Sequence, residues 1–249
     1  MLDKLNWIVV PGGPGLSNNY LKYGLEKAFS GCKLHFYHAF GAPESKNKNP
    51  SIDEMIGQIQ SVADNAALDE YGLITHSFGN YLAMKALDNS NIKAIIMLNP
   101  APFEFHAWKS ALNNIVQSVS EPILKEIAAL SKKTESGIEL FRMLFPYYIG
   151  RKNTVLPIDV LFDVKACNSI SEKVTEYDDR AIVGLISIPL VRIVGEKDPF
   201  FSEQEILQNQ TIVMSNVGHY PFFEDLDSFC KAIKKAEELL CQQMTKKCC

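Results

Sequence analysis

Six short apolar, β-branched runs are spaced along this 249-residue chain: Leu5 to Val10, Lys33 to Tyr37, Tyr71 to Thr75, Ile92 to Leu98, Ile188 to Val194 and Thr211 to Met214. Runs of this length and composition read as strands. Most are separated by enough chain for a helix, so the links are crossovers rather than hairpins. Crossovers make neighbouring strands parallel and lay helices on the faces of the sheet. The intervening pattern agrees, because Ile52, Met55, Ile56, Ile59 and Val62-Ala63 recur at helical spacing, as do Tyr81-Leu82, Met84-Lys85 and Leu87. A carboxy-terminal helix is marked by Leu226, Phe229-Cys230, Ile233, Ala236 and Leu239-Leu240 on one face. The expected fold class is α/β, a mostly parallel twisted sheet of about six strands flanked by helices.

The rhythm of strands stops once. From Phe103 to Ile182 the pattern becomes helical, with Ile115, Val119, Ile123-Leu124, Ile127 and Leu130, then Ile138, Leu140-Phe141 and Leu144-Phe145. A helical insertion opening after Asn99-Pro100-Ala101-Pro102 would cover the carboxyl end of the sheet, where open α/β folds bind ligands. The chain is therefore expected to divide into a core, residues 1–102 and 183–249, and a helical lid, residues 103–182. Its length suits one large domain with an insertion better than two independent domains.

Composition narrows the classes of partner. The formal charge is -4, and Lys and Arg are scattered, with only pairs such as Lys132-Lys133 and Lys234-Lys235, so no basic stripe exists for a nucleic acid to follow. The run Trp7-Ile8-Val9-Val10 before Pro11 is too short for a signal peptide or a spanning helix, so a cytoplasmic protein without stable membrane insertion is expected. Cys32, Cys167, Cys230, Cys241, Cys248 and Cys249 lack metal-type spacing and read as free thiols; Cys248-Cys249 is not a prenylation box. Gly13-x-Gly15 after a strand could open a dinucleotide loop, but Asn18 holds the third glycine position and Pro14 removes an amide donor. No cofactor and no metal is expected, and no protein partner is identifiable.

Chemistry concentrates at strand ends. Leu73-Ile74-Thr75-His76-Ser77-Phe78-Gly79 sets a serine between an apolar strand and a helical stretch, as in the Gly-x-Ser-x-Gly nucleophile elbow, with Gly79 in place and Thr75 departing. After the first strand comes Pro11-Gly12-Gly13-Pro14-Gly15, a plain turn or a loop whose amides face a pocket. Val194-Gly195-Glu196-Lys197-Asp198-Pro199 takes an acid off the fifth strand, which by itself is equally an Asx turn. Val217-Gly218-His219-Tyr220 puts a histidine just past the sixth. Ser77, Asp198 and His219 thus occur in the order nucleophile, acid, base, each at a strand's carboxyl end. His76 reads as packing for the elbow, and His38 and His106 have no partner that the sequence identifies.

With these residues the chain resembles the α/β-hydrolase superfamily over nearly its full length. Gly12-Gly13-Pro14-Gly15, followed by Ser17 and Tyr20-Leu21, is similar to the His-Gly-Gly-Pro-Gly loop of proline iminopeptidases, with Pro11 where that loop has histidine and Phe78 where those enzymes usually carry tryptophan or another large aromatic. The resemblance implies the α/β-hydrolase fold with a cap, and a serine hydrolase in which His219 takes the Ser77 proton, Asp198 orients the imidazole, and the amides of Gly13 and Phe78 form the oxyanion hole. For an aminopeptidase it also implies lid carboxylates that bind the substrate amine. Glu121, Glu126, Glu135, Glu139, Glu172 and Glu176 are available, although on solvated helices such residues read first as surface charges. Phe103, Phe141, Phe145, Tyr148 and Phe200 are candidate walls of an apolar substrate site, with Phe105, Trp108 and Phe201 near them. The leading expectation is a carboxylesterase or thioesterase acting on a small ester. The alternatives are an aminopeptidase or amidase, and a non-catalytic binding protein on the same scaffold.

Overall fold

The computed structural model describes residues 5–29, 31–133, 137–181, 186–201 and 210–246. Strands β1 (Asn6–Val10), β2 (Leu34–His35), β3 (Tyr71–Ser77), β4 (Ile92–Pro100), β5 (Leu190–Gly195) and β6 (Thr211–Met214) form one sheet. Their order is β2-β1-β3-β4-β5-β6 and every neighbouring pair is parallel. Helices α1 (Asn19–Ala28), α2 (Ile52–Asn65) and α3 (Phe78–Lys85) link the first four strands; α8 (Pro221–Glu224) and α9 (Leu226–Lys246) close the described chain. The chain moves one way from β1 to β2 and then resumes on the other side with β3. This makes the gap between the carboxyl ends of β1 and β3 a switch point, the position where parallel sheets of this kind leave a crevice.

Period-two alternation sorts the strands onto two cores. Trp7 and Val9 of β1, Ile74 of β3 and Ile193 of β5 pack with Leu21 and Leu25 of α1 and Phe229 and Ile233 of α9. Ile8 and Val10, Leu73 and Ile95 face the other way, against Met55, Ile59 and Ala63 of α2 and Leu82 and Ala83 of α3. Both faces being covered explains why β1, β3 and β5 read as unbroken apolar runs rather than alternating ones. Each such side chain contributes about 1.5–3 kcal/mol through burial, so Ile8→Ala, in a site with no exposure, would cost about 2–5 kcal/mol. Helix α2 is started by a capping box, with Ser51 Oγ accepting from Glu54 N and Glu54 accepting from Ser51 N.

Between β4 and β5 lie α4 (Phe105–Ser118), α5 (Glu121–Leu130), α6 (Gly137–Leu144), a 3-10 turn at Phe145–Tyr147 and α7 (Val164–Ser171). Strand bounds differ from those expected most at β2, β3 and β4, while β1 starts one residue later and β5 is displaced to Leu190–Gly195. β2 keeps only Leu34–His35, because this edge strand pairs on one side alone and leaves the sheet before Phe36. β3 and β4 run on to Ser77 and Pro100, so the elbow serine is the last residue of its strand. Tyr20 and Leu21 belong to α1 and are fully buried. Among the described residues no helix is long and apolar enough to cross a membrane. Cys32, Cys167, Cys230 and Cys241 take part in no disulfide among the described residues, whereas Cys248, Cys249 and Glu135 lie outside them.

Candidate active site

Ser77 ends β3 directly before α3, with φ 50° and ψ -121°, a left-handed backbone that a non-glycine residue adopts only under constraint. The surroundings supply that constraint. The Ser77 carbonyl accepts from Asn80 Nδ2 at 3.0 Å and from Ala101 N at 3.2 Å. Thr75, which departs from the elbow pattern, is fully buried and donates its hydroxyl to Asn80 Oδ1 at 2.6 Å, so Thr75 and Asn80 brace the turn together. Gly79 is needed for another reason: a Cβ there would lie 2.6 Å from the carbonyl oxygens of both Val10 and Pro11, where α3 crosses the end of β1.

His219 follows β6 and Asp198 follows β5, and both are buried. His219 Nδ1 lies 2.9 Å from Asp198 Oδ2. The same oxygen accepts from Asn99 Nδ2 at 2.6 Å, while Asp198 Oδ1 accepts from Phe200 N at 2.9 Å. Because a carboxylate accepts, Nδ1 carries the proton and Nε2 of His219 is left for the cavity. Asn99 also donates to the Gly218 carbonyl at 3.0 Å, tying the acid to the residue before the histidine. No motif announces Asn99. Its direction comes from a bulge: His76 pairs with Leu98 but Ser77 with Pro100, and the extra residue, Asn99, takes φ 41°.

His76 has a different place. Its Nε2 lies 3.0 Å from the His219 carbonyl, which can only accept, so Nε2 is protonated. Nδ1 therefore accepts from the Tyr20 hydroxyl at 2.9 Å, and that hydroxyl accepts from Gly12 N at 2.7 Å. This chain of bonds links the glycine-rich loop to the histidine turn through the interior. Burial, with His219 close by, holds the His76 pKa well below the usual 6.5, so the ring is neutral.

Gly13, Ser77 and His219 open on a cavity of about 230 Å³ under the insertion. Of the expected wall residues, Phe141, Phe145, Tyr148 and Phe200 line it. Phe103 does not. It is buried in the core on the α2–α3 side, where the Arg192 guanidinium lies 4.8 Å from its ring, because its neighbours in the chain are still leaving the sheet. Trp108, Leu112, Phe162 and Cys167 complete much of the wall. Burial pushes the Cys167 thiol up to about 11, which keeps it uncharged at neutral pH. Among the described residues no carboxylate lines this space, and Glu121, Glu126, Glu139, Glu172 and Glu176 are all solvent-exposed. The Phe78 ring turns away from the cavity to stack on Tyr81, and its amide is the first of α3, with no acceptor inside the helix. Among the described residues Ser77 Oγ makes no hydrogen bond.

No family model matches the chain. A proline iminopeptidase of Thermoplasma volcanium is 21% identical over a 256-residue alignment covering 91% of this chain and 86% of that protein. Among solved structures, a proline iminopeptidase-related protein from Thermus thermophilus superposes with a TM-score of 0.70 at 18% identity, over 98% of this chain and 92% of the other. A thermophilic esterase from Thermogutta terrifontis gives 0.71 at 16% identity, over 95% and 90%. An alpha/beta fold family hydrolase from Bacillus anthracis gives 0.71 at 14%, over 94% and 92%. The chain has the α/β-hydrolase fold, with its parallel sheet flanked by helices and helical additions over the carboxyl edge.

Proposed function

We propose that this protein is a serine hydrolase that cleaves small, uncharged carboxylic esters or thioesters through an acyl-enzyme. The observation that carries the reading is the cavity: Ser77 and His219 share it, Asp198 backs His219 from behind, and the rest of its described wall bears no charge. In the reaction Ser77 Oγ adds to the ester carbonyl as its proton passes to His219 Nε2, and Asp198 favours the imidazolium that forms. Substrate entry must bring Ser77 Oγ within hydrogen-bonding distance of Nε2, a contact that commonly tightens only in the Michaelis complex. The negative oxygen of the tetrahedral intermediate takes the N–H groups of Gly13 and Phe78, each typically worth about 10²- to 10³-fold in turnover. Collapse expels the alcohol or thiol with the proton from His219. Water, giving its proton to the same nitrogen, then releases the acid and restores Ser77.

An apolar cavity selects against a free amine. Moving an ammonium out of water without a counter-charge costs several kcal/mol, which favours ester over amino-terminal peptide substrates. The size of the cavity suits a small acyl group: a void of about 150 Å³ holds benzene, so this one takes roughly nine non-hydrogen atoms. Purified protein is expected to hydrolyse short p-nitrophenyl esters and to lose that activity in Ser77→Ala; full activity in the variant would sink the assignment. The second reading, an aminopeptidase, is favoured by the Gly12–Gly15 loop and by similarity to iminopeptidase-type proteins. It predicts turnover of proline and alanine arylamides, and is discarded if esters are cleaved and these are not.

A further inference from the structure

Glu224 ends the short helix α8, five positions past His219, and its carboxylate folds back into the protein, where it is buried. It is surrounded by main-chain donors. Oε1 accepts from Gly218 N at 2.9 Å, and Oε2 accepts from Gly150 N at 2.7 Å, Arg151 N at 3.0 Å and Gly218 N at 3.1 Å. Gly218 directly precedes His219, whereas Gly150 and Arg151 belong to the insertion, just beyond the turn that carries Tyr148 into the cavity wall. The two segments also bond directly, since His219 N donates to the Tyr148 carbonyl at 2.7 Å. They run so close that a Cβ on Gly218 would stand 2.4 Å from the Tyr148 carbonyl oxygen and 2.6 Å from Gly150 N. Such an approach leaves three amide hydrogens converging on one point, and the Glu224 carboxylate occupies it. Arg151 secures the outside of the same joint, reaching the Glu224 carbonyl at 3.3 Å and pairing with Asp225.

We propose that Glu224 is the positioning residue for His219, and that through it the 148–151 stretch of the insertion is a fixed part of the reaction centre rather than part of a swinging cover. The inference rests on the serine hydrolase reading for its kinetic consequence, but the clasp itself is open to test without it. A carboxylate is the fitting group because it offers acceptors only; an amide would turn two donor hydrogens toward converging N–H groups. With the His219 ring held by Asp198, its amide by Tyr148, and the preceding Gly218 by Asn99 and Glu224, the histidine has little freedom, and a displacement of about 1 Å in such a group can cost 10²-fold in rate.

Two readouts on Glu224→Gln, with Glu224→Asp as a second variant should the first fold poorly, separate the possibilities. Amide hydrogen exchange is expected to quicken together at Gly218–His219 and at Gly150–Arg151, two segments remote in the chain. On p-nitrophenyl butyrate, kcat is expected to fall about 10- to 100-fold with KM within about twofold, while binding of a non-hydrolysable ketone analogue of the ester persists. Exchange that changes in neither segment, or in one alone, overturns the clasp. Faster exchange in both with kcat unchanged overturns the positioning role and leaves a structural one. If the unmodified protein hydrolyses no ester, the ester-hydrolase reading falls and takes this kinetic test with it, and exchange alone decides whether the clasp exists.

Discussion

Asn99 occupies a bulge at the end of β4 with φ 41°, a conformation that asparagine tolerates better than most residues, and it hands its only amide nitrogen to both Asp198 and the Gly218 carbonyl. Hydrogen bonds to a charged group contribute about 1.5–3 kcal/mol, so this side chain adds a second anchor to the Asp198 oxygen that meets His219. Asn99→Asp keeps the shape and reverses the chemistry: two carboxylates at hydrogen-bonding distance cannot both ionise and will share a proton. The expected outcome is a lower kcat and an acid limb of the pH–rate profile moved to higher pH; an unchanged profile would show that Asn99 does not act on Asp198. The proposed set Ser77, Asp198 and His219 was legible as a candidate because each follows an apolar run in a recognisable order. Asn99 could not, since a register shift between two strands leaves no local pattern. Gly79 was legible as an elbow glycine, but the carbonyls of Val10 and Pro11 that forbid a Cβ there come from another strand.

At the level of elements, the buried series Gly12–Tyr20–His76–His219 joins the loop after β1, α1, β3 and the turn after β6. It works only with a neutral imidazole at His76, whose Nδ1 must accept while Nε2 donates. The folded protein therefore resists protonating this ring, while the unfolded chain takes up a proton near the usual 6.5. Stability from this source is complete above that value and is lost as pH falls below it, by up to about 1.4 kcal/mol per pH unit. Glutamine can accept from Tyr20 and donate to the His219 carbonyl without titrating. His76→Gln is thus expected to flatten the decline in urea midpoint between pH 6.5 and pH 5, by up to about 2 kcal/mol at the acid end. An identical decline in both proteins would assign the acid sensitivity elsewhere. The sequence placed His76 beside Ser77 and supported a packing role, but Tyr20 lay in what read as loop, and its partner is revealed only once α1 is folded against β3.

For the molecule as a whole, the alternation of strands and helices was the most legible feature, because parallel topology follows from spacing alone. The interior of the insertion was the least. Helical periodicity tells which residues share a face and not what that face meets, so Phe141 and Phe145 reach the cavity while Phe103 packs into the core. On the proposed reading, this fold, these braces and this cavity together make Ser77 an activated nucleophile. A fluorophosphonate probe reacts with such a serine and not with ordinary hydroxyls. Intact-mass and peptide mapping after brief labelling should find one adduct, on Ser77, absent from Ser77→Ala and formed more slowly in Asp198→Asn. Folded protein that takes up no label, or that labels equally well after Ser77 is removed, would contradict it.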